Sequence, residues 1–221
     1  MKDNLTEVVF IVDMSGSMGP YTSDTIGGYN KLLEDQKNNP GDAVITTVFF
    51  NTAFTKVHDR VDIKNVKPIT DKEYRPAGCT AMLDAVGKTI DDIGKKLADM
   101  KEEDRPSSVI VTIITDGYEN ASTDYSWAQI QNMIKEQREK YNWIFTFIGA
   151  NIDVMDVSNS LGIDSRLAKA YTSSSKGTDS VYTAMSAAVS STRENYAKAK
   201  NAKARDAVLD SISDIMDESI E

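Results

Sequence analysis

The chain is poor in cysteine, histidine and long apolar runs, and each shortage excludes a class of protein. It contains one cysteine, Cys79, and one histidine, His58, among 221 residues. A single cysteine forms no internal disulfide, so the chain is not a disulfide-stabilised secreted domain. No run approaches the ~20 apolar residues of a membrane-spanning helix, and the N-terminal apolar run is too short for a signal peptide. We therefore expect a cytoplasmic protein that does not bind a membrane.

Positive charge is also scarce. The chain carries 25 lysine and arginine residues against 34 aspartate and glutamate residues, a formal net charge of −9. Because this charge repels a phosphate backbone, we expect no nucleic-acid partner. The length suits one large domain, or one domain with an appendage, and the apolar fraction of 40% is that of an ordinary globular protein.

Four apolar runs predict buried strands, at residues 8–12, 43–50, 109–114 and 143–150. They do not alternate with polar residues, which is typical of strands covered on both faces. Helical spacing of apolar residues appears at 22–37, 81–99 and 127–141. Residues 53–61 follow the second strand closely enough to form an antiparallel edge hairpin, and a short strand is expected near 167–172. We predict a three-layer α/β/α doubly wound fold with a mostly parallel six-stranded sheet of order 3-2-1-4-5-6.

The C-terminal region has a different character. Residues 178–205 predict one long helix that completes a domain spanning 1–205, and residues 206–221 predict an acidic amphipathic tail. Such a tail either packs on its own domain or docks on a partner, and the sequence leaves both interpretations open.

Polar oxygen-bearing side chains follow the predicted strands at the positions where ligands bind in such sheets. Asp13, Ser15 and Ser17 follow the first strand, Asp116 follows the strand at 109–114, and Thr80 precedes the helix at 81–99. Ligands of open α/β sheets bind outside the carboxyl ends of the strands, where the strand order reverses. We therefore expect two carboxylates and three hydroxyls to meet at one place.

This set of oxygens favours a hard divalent cation. Magnesium takes about six oxygen ligands and keeps waters readily, whereas zinc prefers sulfur and nitrogen and calcium prefers more carboxylates. Mg²⁺ is thus the expected metal, with Mn²⁺ as the alternative. If one carboxylate acts through water, the ion keeps net positive character and a free position accepts a carboxylate from another molecule.

The motifs that carry these residues, DMSGSM at 13–18, GCT before a helix and TDG after a buried strand, resemble those of the von Willebrand factor A (VWA) domain family. The resemblance covers about residues 5 to 200, and small intracellular bacterial or phage members are the most similar type. It implies an intact metal-ion-dependent adhesion site (MIDAS), in which Asp13, Ser15 and Ser17 match the first loop, Thr80 the second and Asp116 the third. It also implies direct contacts from the first-loop hydroxyls, water-mediated contacts from one or both aspartates, and an acidic group of the partner at the last position.

Several simpler interpretations compete with these functional ones. Ser15 or Ser17 would serve as a helix cap, but that does not explain Asp116. The triplet at 87–89 lacks the glycine that a phosphate-binding loop needs five residues earlier, so we expect no nucleotide there. Cys79 has no histidine nearby in sequence and is expected to be a small side chain in a tight loop.

Other polar residues receive weaker assignments. His58 is expected to be a solvated strand residue. Asn151 and Asp153 are expected to shape a helix start at Val154, and the alternative is that they reach the edge of the sheet where the candidate ligands lie. The loop after the third motif, together with the first loop, predicts a partner-binding rim of Tyr21, Tyr118, Glu119, Asp124 and Tyr125, although ordinary loop composition explains these residues equally well.

The leading functional hypothesis is a protein interaction module rather than an enzyme. The metal would bridge the domain to an Asp or Glu side chain, or to a terminal carboxylate, of a partner protein. The first alternative is a magnesium-dependent phosphoryl-transfer enzyme with Asp13 as nucleophile. The second is a structural subunit whose metal only rigidifies the loops. The sequence does not indicate an oligomeric state.

Overall fold

A computed structural model of the chain describes residues 1–196, 198–199 and 201–220, with only the backbone of Asp3. The strands are β1 (Lys2–Asp13), β2 (Asp42–Phe50), β3 (Phe54–Asp62), β4 (Pro106–Thr115), β5 (Ile144–Gly149) and β6 (Ala168–Ala170). The α-helices are α1 (Thr22–Asn38), α2 (Met82–Asp99), α3 (Trp127–Tyr141), α4 (Val154–Leu161), α5 (Ser175–Ser191) and α6 (Ala202–Ser219). Short 3-10 helices lie at Gly16–Tyr21, Glu102–Asp104 and Ser165–Leu167, and a π-helix at Thr192–Tyr196.

The sheet of the described residues has the order β3-β2-β1-β4-β5-β6, which confirms the predicted topology. All neighbouring strands are parallel except β2 and β3, the predicted antiparallel pair at the edge. The chain moves from β1 to one side of the sheet and later returns to the other side with β4. Because β1 and β4 are hydrogen-bonded neighbours, the carboxyl ends of these two strands define the point where the strand order reverses.

The central strand is buried on both faces, which explains its uninterrupted apolar run. Val8, Phe10 and Val12 pack into one core with side chains of α1, α5 and α6. Val9 and Ile11 pack into a second core with side chains of α2, α3 and α4. A strand covered on both faces needs apolar residues at every position, whereas a strand with one wet face alternates. Within the described residues, no helix is long and apolar enough to cross a lipid bilayer.

The prediction that His58 is a solvated strand residue is wrong. His58 is only 7% exposed, its Nδ1 lies 3.0 Å from the hydroxyl of Thr47, and burial lowers its pKa. The cause is a local irregularity, because the β2–β3 register shifts on both sides of the Thr47–His58 pair. The same irregular stretch holds Arg60 at a φ of +51°, and its guanidinium reaches the buried carboxylate of Glu7 at 2.8 Å.

The predicted single helix over 178–205 is also wrong. Helix α5 ends at Ser191, a π-helix follows, and α6 begins at Ala202 with Asn201 as its cap. The Asn201 carboxamide oxygen accepts a hydrogen bond from the Ala204 amide, which favours a new helix start there. Arg193, in the π-helix, turns its guanidinium to the C-terminal end of α1 and donates to the carbonyls of Gln36 and Gly41. These contacts favour a break between α5 and α6 over one continuous helix.

The acidic C-terminal segment packs on its own domain, so the proposed boundary between 205 and 206 falls inside α6. Ile212 and Met216 are fully buried in the core that also contains α1 and α5. Arg166 pairs with two aspartates of α6, and the Lys169 amine lies 2.6 Å from the Asp217 carboxylate. The apolar stripe of this helix thus faces its own sheet, while part of its acidic face pairs with the cations beside β6.

Candidate metal centre

The first loop is anchored by Asp13, the last residue of β1. Its side chain is fully buried, and each carboxylate oxygen accepts a hydrogen bond. Oδ1 accepts from the Ser15 amide at 2.6 Å, and Oδ2 accepts from the Thr115 hydroxyl at 2.7 Å. Thr115 ends β4, so this second bond ties together the two strands at which the strand order reverses. The Tyr74 hydroxyl also donates to the backbone carbonyl of Asp13 at 2.7 Å.

The two serine hydroxyls of this loop lie beside each other, and that of Ser17 reaches the third loop. Ser15 precedes the 3-10 helix at Gly16–Tyr21 but makes no capping hydrogen bond with its side chain. Its hydroxyl lies 3.1 Å from that of Ser17, and the Ser17 hydroxyl donates to Oδ1 of Asp116 at 2.5 Å. The capping interpretation therefore does not describe how Ser15 is used.

The second loop brings Thr80 to the same place by backbone hydrogen bonds to the first loop. The Ala77 amide donates to the Met14 carbonyl, and the Gly16 amide donates to the Gly78 carbonyl. Gly78 has a φ of +76°, a conformation that glycine adopts readily. Among the described hydrogen bonds, none involves the Thr80 side-chain hydroxyl, although the residue is only 3% exposed.

The hydroxyl oxygens of the first and second loops converge on the third. A β-carbon built on Gly117, directly after Asp116, would lie 3.9 Å from Oγ1 of Thr80 and 4.0 Å from Oγ of Ser17. The structure therefore brings all five predicted ligand residues to one edge of the sheet: Asp13, Ser15, Ser17, Thr80 and Asp116.

The two carboxylates are buried without a cationic partner. Asp116 is 3% exposed, and neither Asp13 nor Asp116 takes part in a salt bridge among the described residues. Burial raises the pKa of both carboxyls; hydrogen bonds from Thr115 and Ser15 oppose the shift at Asp13, and one from Ser17 opposes it at Asp116. A buried carboxylate is costly unless it is paired, hydrogen-bonded or bound to a metal, so this arrangement suits a cation.

The donor atoms match a hard metal ion. In the described part of the chain, no group of three or more histidine, cysteine, aspartate or glutamate side chains is arranged to hold a metal. The cluster at the sheet edge has two carboxylates and three hydroxyls, so a metal there would use neutral oxygens and water for the rest of its shell. Oxygen ligands of this kind fit Mg²⁺ or Mn²⁺ better than Zn²⁺.

The five predicted rim residues differ in their exposure and in their hydrogen-bond partners. Tyr118 is 53% exposed and its hydroxyl accepts from the Asp153 amide, while Tyr21 donates to the Ser173 carbonyl. The other three turn towards α2. The Glu119 carboxylate accepts from the Leu83 amide, Asp124 pairs with Lys88, and the Tyr125 hydroxyl donates to Asp91. All five polar groups thus have partners within the domain, and the exposed ring of Tyr118 makes it the strongest rim candidate.

Two residues near the candidate ligands were not predicted from the sequence. Thr115 fixes one oxygen of Asp13, and Asn120 exchanges two hydrogen bonds with the backbone of Thr80. The only sequence signal was their position, since Thr115 is the first letter of the TDG motif and Asn120 lies in the polar loop behind it.

Three other predictions can be compared with their positions. Asp153 caps α4 as expected, because its side chain accepts from the Asp156 amide. Residues 87–89 lie inside α2 and do not form a phosphate-binding loop. Cys79 is exposed, so it is not enclosed by the tight loop in which it lies.

Comparisons with known proteins identify the fold. No family model and no curated protein matches the sequence. Proximal thread matrix protein 1 of the mussel byssus superposes with a TM-score of 0.58 at 17% identity, over 84% of this chain and 46% of its own. The manganese-loaded TRAP protein of Plasmodium vivax gives 0.58 at 16% identity, over 82% and 73%. A von Willebrand factor type A protein from Catenulispora acidiphila gives 0.57 at 14% identity, over 84% and 43%.

These neighbours, together with the strand order, show that the chain has the fold of a von Willebrand factor A domain. The chain spans less than half the length of the mussel and Catenulispora proteins. The mussel protein has also been solved with a zinc-occupied MIDAS motif, at a TM-score of 0.56 to this chain.

Proposed function

We propose that this protein is a metal-dependent interaction module that binds Mg²⁺ or Mn²⁺ through Asp13, Ser15, Ser17, Thr80 and Asp116. The observation that carries the proposal is the pair of buried carboxylates, Asp13 and Asp116. Neither forms a salt bridge with a cationic side chain among the described residues. The metal-bearing neighbours support it, because manganese and zinc are recorded in proteins of the same fold. A bound dication would offset the charge that the fold buries at this edge.

The partner we propose is a protein that presents an aspartate, a glutamate or a terminal carboxylate. Both oxygens of Asp13 already accept hydrogen bonds, which suits a ligand that acts through metal-bound water. A dication that is not fully neutralised by direct carboxylate contacts attracts an external anion. The exposed ring of Tyr118 and the half-buried ring of Tyr21 would then supply contact area beside the ion.

An enzymatic role for Asp13 is the weaker proposal. A phosphoryl-transfer nucleophile must reach the substrate phosphorus, whereas the Asp13 carboxylate is fully buried and hydrogen-bonded at both oxygens. We therefore propose a non-enzymatic protein. The cytoplasmic location and the bacterial or phage type stay predictions from the sequence.

Metal binding is tested directly with Mn²⁺. Titration of the protein into MnCl₂, with free Mn²⁺ followed by electron paramagnetic resonance, should show one site in the wild type and a large loss of affinity in Asp116→Asn. Asp214→Asn is the matched control, because it removes the same charge from an exposed position on α6. Equal Mn²⁺ binding by both variants would overturn the assignment of this site.

Partner chemistry is tested with a displayed random-peptide library. Peptides selected on the wild type in MnCl₂ should share an acidic residue, and its replacement by the corresponding amide should abolish binding. Addition of a chelator should release them. Selected peptides that bind equally well in chelator would instead support a structural metal with a separate binding surface.

A further inference from the structure

The second and third metal-binding loops are joined by a reciprocal pair of hydrogen bonds. The Thr80 amide donates to the side-chain Oδ1 of Asn120 at 2.9 Å, and the Asn120 amide donates to the Thr80 carbonyl at 3.0 Å. Both backbone groups of Thr80 are therefore fixed by one residue, which lies four positions after Asp116. The Thr80 hydroxyl takes no part in this contact.

Glu119, the neighbour of Asn120, joins the same loop to the start of α2. Its Oε2 accepts from the Leu83 amide at 2.9 Å, and its Oε1 accepts from the Ala121 and Ser122 amides. Ala81, which precedes α2, offers no side-chain cap. The first turn of this helix thus obtains a carboxylate acceptor from the third loop, where a negative charge is also favoured by the helix dipole.

Asp84 completes this connection in the opposite direction. Its carboxylate, in the first turn of α2, accepts from the amides of Thr123, Asp124 and Tyr125. These hydrogen bonds lower its pKa against the effect of burial, so the group stays ionised at neutral pH. The loop from 117 to 125 and the beginning of α2 are consequently held as one unit.

We infer that Asn120 is a positioning residue for the metal centre, which sets the place of the Thr80 hydroxyl relative to Asp116 without touching the ion. This inference rests on the proposed function. It follows from the geometry, because Thr80 is buried, its hydroxyl makes no hydrogen bond among the described residues, and both groups of its backbone are held by the loop that follows Asp116. When a residue that hydrogen-bonds to a metal ligand and orients it is replaced, metal affinity typically falls by about 10- to 100-fold.

The test compares Mn²⁺ affinity with the stability of the metal-free protein. Asn120→Ala removes the Oδ1 acceptor and should weaken Mn²⁺ binding about tenfold. Asn120→Asp keeps an acceptor at the same position and should bind Mn²⁺ at least as tightly as the wild type. Asn38→Ala, at an exposed position on α1, is the matched control and should leave affinity unchanged. Thermal unfolding in chelator measures any purely structural effect of each change.

The outcomes separate this inference from the function on which it rests. If the wild type binds Mn²⁺ and Asn120→Ala binds it equally well, Asn120 does not position the site, even if the variant melts at a lower temperature in chelator. If the wild type fails to bind Mn²⁺, the proposed function fails and this inference with it. If Asn120→Ala does not fold, Asn120→Leu takes its place, because leucine has a similar shape and no acceptor, and unchanged Mn²⁺ affinity in that variant overturns the inference.

Discussion

Single residues at two places in this protein carry charge that the fold has buried. Asp13 and Asp116 lie at the candidate metal centre, whereas Glu7 lies further back on β1 and pairs with Arg60. Both sites depend on polar contacts between strands that are distant in sequence. Their charge states should therefore be visible in the stability of the whole domain.

Glu7 makes the stability depend on pH. Burial raises its pKa from 4.5 to about 7, against the opposing effect of Arg60. Because the folded state holds the proton more tightly, this group's stabilisation is complete below pH 4.5 and is lost as the pH rises through 7. At about 1.4 kcal/mol per pKa unit, the loss is about 3 kcal/mol.

Glu7→Gln removes this titration. We expect the free energy of unfolding of the variant, minus that of the wild type, to rise between pH 5 and pH 8 when both are measured by urea denaturation. Glu34→Gln makes the same change at an exposed glutamate and is the matched control. A flat difference for Glu7→Gln would show that the carboxylate stays charged throughout this range.

At the level of elements, substitutions on two faces of α6 can test whether this helix packs on its own domain. Ile212 is fully buried against the domain, whereas Ile215, less than one turn away, is only half-buried. Replacement of a buried isoleucine by alanine typically costs 2–5 kcal/mol, roughly in proportion to the cavity that remains. Ile212→Ala should therefore lower the free energy of unfolding by about 3 kcal/mol, and Ile215→Ala by clearly less.

Guanidinium denaturation of these two variants provides the check. If both substitutions cost the same small amount, α6 is not packed on its own domain in solution, and docking on a partner becomes the better account of its apolar stripe.

The sequence predicted those elements whose local signals agree with their environment. The run at 8–12 is apolar throughout, the run at 109–114 is apolar except for Thr112, and both form central strands; Asp153 caps α4 as its position suggested. The errors arose where tertiary contacts override a local pattern. A register shift turns His58 inwards, and contacts of Arg193 with the end of α1 favour an interruption that helical spacing does not reveal. The structure brings the candidate ligands to one edge of the sheet, as their positions after the strands suggested. The role of Asn120 rests on a hydrogen bond to a residue 40 positions earlier, which no local sequence pattern indicates.

At the level of the whole molecule, metal binding should raise the stability of the domain. Three loops contribute the candidate ligands, of which the first and third are about 100 residues apart, and in the absence of metal two buried carboxylates repel each other. Two unit charges about 5 Å apart cost roughly 3 kcal/mol at an effective dielectric constant of 20. A ligand at 100 times its Kd adds about 2.7 kcal/mol to the free energy of unfolding.

Thermal unfolding in MgCl₂ and in chelator tests this expectation. The wild type and Asp214→Asn should melt at higher temperature with MgCl₂, whereas Asp116→Asn should show no shift. In chelator, Asp116→Asn should be at least as stable as the wild type, because the repulsion has been removed. A wild-type melting temperature that is the same in both buffers would contradict a metal-stabilised fold.

The contacts of Arg166 and Lys169 with α6 bear on where the autonomously folding unit ends. Strand β6 has only three residues and is hydrogen-bonded to a neighbour, β5, on one side. A recombinant fragment cut at residue 205 would leave the Arg166 and Lys169 side chains without several of their partners and would open the core where Ile212 and Met216 lie. Expression vectors and domain fusions should therefore retain the chain through Ser219. A shorter product would expose apolar core residues to solvent and would tend to aggregate.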